Sequence, residues 1–291
     1  MCASFDSLQA AAPVAAAPGA PVAMNDRDLA WIDRAGFRLQ YALGGSGATT
    51  AVLIHELGGS IESWDAVAGD LARSMRIVRY DQRGHGGSDT VRTPYALADH
   101  VDDLQELLEQ LAVAQPCWLI AAAAGAAIAV EFAARHPARV AGIVMCAPAL
   151  DIDPPRRRDL RDRADAVTHD GMTAIADPTL ARSWPPMLRC DIEVFEGYRR
   201  RFLANDPVGY ALASHALSDI DLWAQLPLLQ CPCLFLAGEH DLQRPPARVA
   251  AQAALVARAV FDVVPAGHLM AVQRPAEVAA KIAAFIAGSQ P

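Results

Sequence analysis

The chain has 291 residues, 53% of them hydrophobic, enough for one large domain or a domain carrying an inserted cap. A formal net charge of −8 argues against a nucleic-acid partner, which selects for a basic surface. No uninterrupted apolar run is long enough to span a bilayer, so no membrane partner is expected.

Residues 1–25 are rich in Ala and Pro without periodicity and read as a disordered tail. They lack the basic start of a secretory leader and carry Asp6 early, so a cytoplasmic location is expected, with Met24 as a candidate start. Alternating segments around residues 30–32 and 37–42 flank Ala35-Gly36 and read as a hairpin. Residues 51–55 form a solid apolar run, the mark of a central strand, and Gly58-Gly59-Ser60 break it. Residues 61–74 then follow helical spacing, and residues 76–80 read as the next strand. That strand runs into Asp81-Gln82-Arg83-Gly84-His85-Gly86-Gly87-Ser88, too glycine-rich for regular structure. Residues 95–111 predict an amphipathic helix with Val101, Leu104, Leu107 and Leu108 on one side. A strand at 117–121, a helix at 125–135 stopped by His136-Pro137, and a strand at 140–146 follow.

From residue 150 to 221 the strand-like runs vanish. Arg156, Arg157, Arg158, Arg161 and Arg163 crowd together, and Arg199, Arg200 and Arg201 come later. This predicts a helical cap over 150–221, inserted into a core made of 26–149 and 222–291. Alternation then resumes: strand at 233–237, helix at 246–258, strand at 260–264, helix at 276–286. Strands alternating with helices mean an α/β fold with a mostly parallel sheet wrapped on both faces.

The stretch Cys117 to Ala127 has the layout of a buried strand, a tight turn and a helix. A nucleophile elbow at such a turn reads Gly-x-Ser-x-Gly. Here Ala123 stands where the attacking oxygen belongs, and Ala121 and Ala122 precede it. Cys146 is no substitute, because a lone cysteine in an apolar strand is core. The six cysteines are scattered, Cys231-Pro-Cys233 is not a Cys-x-x-Cys pair, and neither a metal nor a cofactor is expected. Gly84, Gly86 and Gly87 lack the Gly-Lys and the helix start of a phosphate loop, and His85 among them reads as a structural hydrogen-bonding group.

Four motifs in order now carry a resemblance: His55-Glu56-Leu57-Gly58-Gly59-Ser60 after a strand, Asp81 to Ser88, Ala237-Gly238-Glu239-His240-Asp241, and Pro265-Ala266-Gly267-His268. Residues 27–287 resemble the α/β-hydrolase superfamily, and most of all its 3-oxoadipate enol-lactonase-like subgroup. The resemblance implies an eight-stranded sheet with helices on both faces, a helical cap and hydrolysis of a small carbonyl compound of ring catabolism. It also implies that His268 is the base and Asp241 the acid orienting it, and that the N–H groups of Leu57 and Ala124 form an oxyanion hole. The chain departs from the pattern twice: Ala123 replaces serine, and Glu56 replaces the usual glycine of the oxyanion loop.

A hydrolytic triad needs a nucleophile, a histidine to take its proton and a carboxylate to hold the imidazole. His268 read alone is a loop histidine, and Asp241 read alone is a turn former before Pro245-Pro246. The N–H of Ala124 starts a helix and carries its positive end. A carboxylate at Glu56 opposes an oxyanion unless it is protonated or points away; it serves either as a proton carrier or as an outward acceptor for backbone N–H groups. The arginines of the cap read as a solvated face, or as a source of one contact from Arg156, Arg157 or Arg158 to a substrate carboxylate.

Three functions fit these residues. The first is a hydrolase in which His268 activates water directly on a small, labile enol-lactone, ester, thioester or enamine-like substrate. The second is a non-catalytic ligand-binding protein. The third is an ordinary serine hydrolase whose serine has been exchanged for alanine; the neighbouring Ala121 and Ala122 fit natural divergence better. The oligomeric state and the substrate are open at this level.

Overall fold

The computed structural model describes residues 29–289; the N-terminal tail expected from the sequence lies outside them. An eight-stranded sheet has the order β1-β2-β4-β3-β5-β6-β7-β8. β1 (Leu29–Arg34) and β2 (Phe37–Gly44) form the hairpin, turning at Gly36 with φ +89°. β2 also runs antiparallel to β4 (Arg76–Tyr80). From β4 onward every pairing is parallel, through β3 (Thr50–Ile54), β5 (Cys117–Ala122), β6 (Val140–Cys146), β7 (Cys233–Gly238) and β8 (Ala259–Val264).

The central strands read as unbroken apolar runs because both faces are covered. In β5, Leu119 and Ala121 enter one core with Val101, Leu104 and Leu108 of α2 (Leu97–Gln110) and with α3 (Gly125–Arg135). Trp118, Ile120 and Ala122 point the other way, toward α1 (Asp65–Leu71) and the C-terminal helix at Pro275–Gly288. One residue of slip would reverse both sets, so the register is tightly specified.

Between β6 and β7 stand four helices: α4 (Pro154–Asp170), α5 (Thr173–Ser183), α6 (Ile192–Leu203) and α7 (Pro207–Ser218). They leave and rejoin the sheet domain through a two-stranded neck. There Ile152 N–H donates to Ile220 O at 3.0 Å and Leu222 N–H to Leu150 O at 2.8 Å. The cap has its own core, with Trp184, Phe195, Tyr198, Phe202 and Tyr210, and it meets the sheet domain at Leu57 and Leu269.

Two helices differ from the sequence expectation. The one expected at 61–74 opens as a 3₁₀ turn (Ile61–Trp64), because Ile61 N–H is taken by the Asp81 carboxylate at 2.7 Å. The one expected over 246–258 is α8 (Pro246–Ala253); the chain must turn at Val256 to enter β8, where Ala259 pairs with Cys233. α9 (Met270–Gln273) and α10 (Pro275–Gly288) complete the chain. Among the described residues no helix is long and apolar enough to cross a membrane.

Candidate active site

Ala123 follows β5 with φ +45°, a conformation that costs a non-glycine residue about 1–3 kcal/mol. The turn is held from both sides. Ala123 N–H donates to Cys146 O at 2.9 Å, and Ala123 O accepts from Ala126 and Ala149 at 3.1 and 3.0 Å. α3 can start there because Gly125 has no side chain: a Cβ would lie 2.7 Å from the carbonyl oxygens of both Ile54 and His55. The sharp strand-to-helix turn is therefore present, with the Ala123 methyl group at its tip.

His268 and Ala123 line the same cavity, under the cap. The imidazole Nδ1 lies 2.8 Å from Asp241 Oδ2, and among the described residues Nε2 has no partner. Asp241 is almost wholly buried. Burial would raise its pKa, but the His268 charge and hydrogen bond, with the N–H groups of Arg244 and Gln243, outweigh it and hold the carboxyl below the ordinary range. Its second oxygen, Oδ1, accepts from Gln243 and Arg244 N–H at 2.7 and 3.0 Å. The turn-forming role and the histidine-holding role are thus filled by one side chain at once.

Leu57 and Ala124 also line the cavity, and among the described residues neither N–H donates a hydrogen bond. Their loops are braced by two buried histidines. His55 Nδ1 meets Glu56 O at 2.7 Å, and its Nε2 accepts from Gln82 N–H at 3.0 Å. His85 Nε2 accepts from Gly58 N–H at 3.1 Å. Burial lowers their pKa values to about 4 and about 3, with the neighbouring His55 adding to the shift at His85, so both are neutral braces. Asp81, raised by burial to about 6, ties the same loops by accepting from Ile61 and Gly87 at 2.7 and 2.8 Å.

Glu56 points inward. Its Oε1 accepts from Ser63 Oγ at 2.8 Å and from the Tyr198 hydroxyl of α6 at 2.7 Å, and it lines the cavity. The outward-turned alternative, with backbone N–H partners, is not what is found. The carboxylate folds over Gly59, where any Cβ would lie 2.5 Å from it. Burial, reinforced by the Glu56 charge, pushes the Tyr198 phenol well up, so it remains a donor.

Cys146 is buried and its thiol is pushed up to about 12, so it supplies no thiolate. Of the three candidate arginines, Arg156 lines the cavity, whereas Arg157 pairs with Asp219 and Arg158 with Asp162 at the surface. Sequence reasoning missed Ser63, Tyr198, Gln243 and Arg244. Arg244 carried a signal, standing three residues after Asp241 on the same loop. Tyr198 carried none, because only the cap's packing brings it to Glu56.

This sheet order, capped cavity and acid–histidine pair define an α/β-hydrolase-type hydrolase. The family model described as serine aminopeptidase, S33 matches residues 47–262, and the chain belongs to that family. Its relatives place it among the enol-lactonase-like members of the superfamily. The 3-oxoadipate enol-lactonase 2 of Acinetobacter baylyi is 26% identical over 246 residues, covering 81% of this chain and 88% of that protein. The crystal structure of the enol-lactonase from Burkholderia xenovorans superposes with a TM-score of 0.84 at 27% identity, covering 89% of this chain and 100% of that one. A malate-bound thermophilic esterase from Thermogutta terrifontis also gives 0.84 at 27% identity, covering 88% and 95%.

Proposed function

We propose that the protein hydrolyses a small, activated carbonyl compound, an enol-lactone, ester or thioester, with a water molecule in place of the serine nucleophile. The observation that carries this reading is the His268–Asp241 pair on a cavity whose elbow ends in a methyl group. Water occupying the room left by the absent hydroxyl attacks the carbonyl carbon and gives its proton to His268 Nε2. Asp241 stays ionised and holds the imidazolium. The N–H groups of Leu57 and Ala124 take the developing oxyanion, the larger share of what such a site contributes without its nucleophile. Collapse of the tetrahedral intermediate breaks the bond to the leaving oxygen or sulfur, which recovers the proton from His268. Glu56 assists proton transfer from its place beside Ser63 and Tyr198.

Loss of covalent catalysis removes several orders of magnitude of rate, so the substrate must be intrinsically labile. The relatives favour lactones and esters, the compounds in their names. The test is a panel of lactones, esters and thioesters given to the parent and to Ala123→Ser, with a fluorophosphonate probe in parallel. The proposal expects the parent to turn over a labile member without being labelled, and Ala123→Ser to gain labelling and a burst phase. Ligand-induced thermal stabilisation with no turnover of any member would instead mark a binding protein. Fast ester hydrolysis confined to Ala123→Ser would mark a disabled serine hydrolase.

A further inference from the structure

His268 lies in the sheet domain by sequence, yet the cap holds its backbone. Its N–H donates at 3.0 Å to the carbonyl oxygen of Ser183, the last residue of α5. The next residue, Leu269, is buried in the cap core with Trp184 and Phe195. The residue before it allows the close approach, because a Cβ on Gly267 would lie 2.9 Å from Ser183 O and 3.2 Å from the Pro185 ring. The sheet domain grips the same loop two residues earlier, where His240 N–H donates to Ala266 O at 2.9 Å. The seam between the two domains therefore runs through the backbone of the base.

The end of α5 is fastened in turn. Ser183 is buried, and its hydroxyl donates to Thr179 O at 2.9 Å and accepts from Gln243 Nε2 at 2.7 Å. Gln243 stands on the acid loop, where its own N–H donates to Asp241 Oδ1 at 2.7 Å. Its Oε1 accepts from Arg156 Nη2 of α4 at 2.6 Å. One neutral side chain thus joins the acid loop, two cap helices and, through Ser183, the backbone of the base. Gln273 of α9 adds a second tie, accepting from Gly267 N–H at 2.7 Å and reaching Ser183 O at 3.5 Å.

We propose that Gln243 and Ser183 are positioning residues that hold α5 against the base loop, so that the His268 imidazole is aligned with the Ala123 elbow only while the cap is seated. Asp241 fixes the ring at Nδ1, and Ser183 O fixes the backbone that carries it. When the end of α5 lifts, Ser183 O leaves His268 N–H and Leu269 leaves the cap core. Opening of the cavity and misplacement of the base are then one event, and chemistry waits for closure. A displacement of about 1 Å at a reacting group costs on the order of 100-fold in rate, so a small shift of α5 is enough. This rests on the reading of His268 as the base, and it adds the cap's hold on that base.

The test combines amide hydrogen exchange with kinetics on a labile lactone in the parent, Ser183→Ala, Gln243→Met and the double variant. Ser183→Ala removes the hydroxyl that Gln243 holds and keeps the carbonyl that His268 uses. In the parent, the His268 amide and the amides of the last turn of α5 are expected to share one degree of protection, because one opening exposes them. In each single variant both are expected to exchange roughly 10-fold faster, with the amides of β5 unchanged. The same variants are expected to lose roughly 10-fold in kcat with little change in KM, and the double variant to be no slower than either single, because both changes remove the same bond. Faster exchange in α5 with the His268 amide unmoved overturns the coupling, as do losses that add in the double variant. A fall in kcat with unchanged exchange also overturns it, since Gln243 would then act on the substrate itself. Coupled, faster exchange in a protein that turns over no lactone leaves the cap's hold standing and removes the hydrolase reading. An active parent whose variants exchange and react as it does keeps that reading and removes the hold.

Discussion

Asp241 and His268 meet through one oxygen and one nitrogen, Oδ2 and Nδ1 at 2.8 Å, while the other oxygen of Asp241 is anchored by Gln243 and Arg244 N–H at 2.7 and 3.0 Å. The backbone of the loop after β7 therefore aims the carboxylate, and the carboxylate aims the ring. Asp241→Asn keeps an oxygen for the turn but loses the charge that stabilises an imidazolium and invites the wrong tautomer. Turnover of a labile lactone is expected to fall on the order of 1,000-fold, with an unchanged circular dichroism spectrum. Activity within a few-fold of the parent would mean that His268 does not act as a base.

The buried histidines give a pH dependence of stability with a definite sign. His85 is neutral in the fold, its pKa lowered by burial to about 3, and it returns to about 6.5 on unfolding. The unfolded chain thus binds the extra proton between those values. The contribution of His85 is full above pH ~6.5 and is lost as pH falls toward the folded value. Asp81, raised by burial to about 6, acts in the opposite sense below that pH and is common to parent and variant. Urea unfolding from pH 7.5 to 5 is expected to show a slope lower in His85→Gln than in the parent by on the order of 1 kcal/mol per pH unit. Parallel slopes would show that His85 takes up a proton in the fold as readily as in the unfolded chain.

Glu56 separates bracing from chemistry. Glu56→Gln preserves an oxygen for Ser63 and Tyr198 but cannot exchange a proton, so kcat is expected to fall roughly 100-fold with little change in melting temperature. Tyr198→Phe removes one donor and is expected to cost about 1–2 kcal/mol of stability by thermal unfolding. An unchanged kcat in Glu56→Gln would reduce Glu56 to a tie between the cap and the loop after β3.

Much of this site is legible in the sequence because it is built from local signals. Gly125 next to an alanine run marks the elbow, Pro-Ala-Gly preceding His268 marks a loop at the sheet's end, and unbroken apolar runs mark strands covered on both faces. The direction of Glu56 is not legible, because it is set by Tyr198, 142 positions away on a cap helix. The end of α8 comes earlier than the sequence suggests because helical propensity continues through Leu255, whereas the strand pairing of Ala259 requires the chain to turn before it.

The most direct measurement is the steady-state hydrolysis of a labile lactone by the parent and by His268→Ala, both checked for folding and for fluorophosphonate labelling. Activation of water by the imidazole predicts an unlabelled parent that turns over and a variant at least ~100-fold slower in kcat/KM. A folded His268→Ala protein that matches the parent would contradict the account.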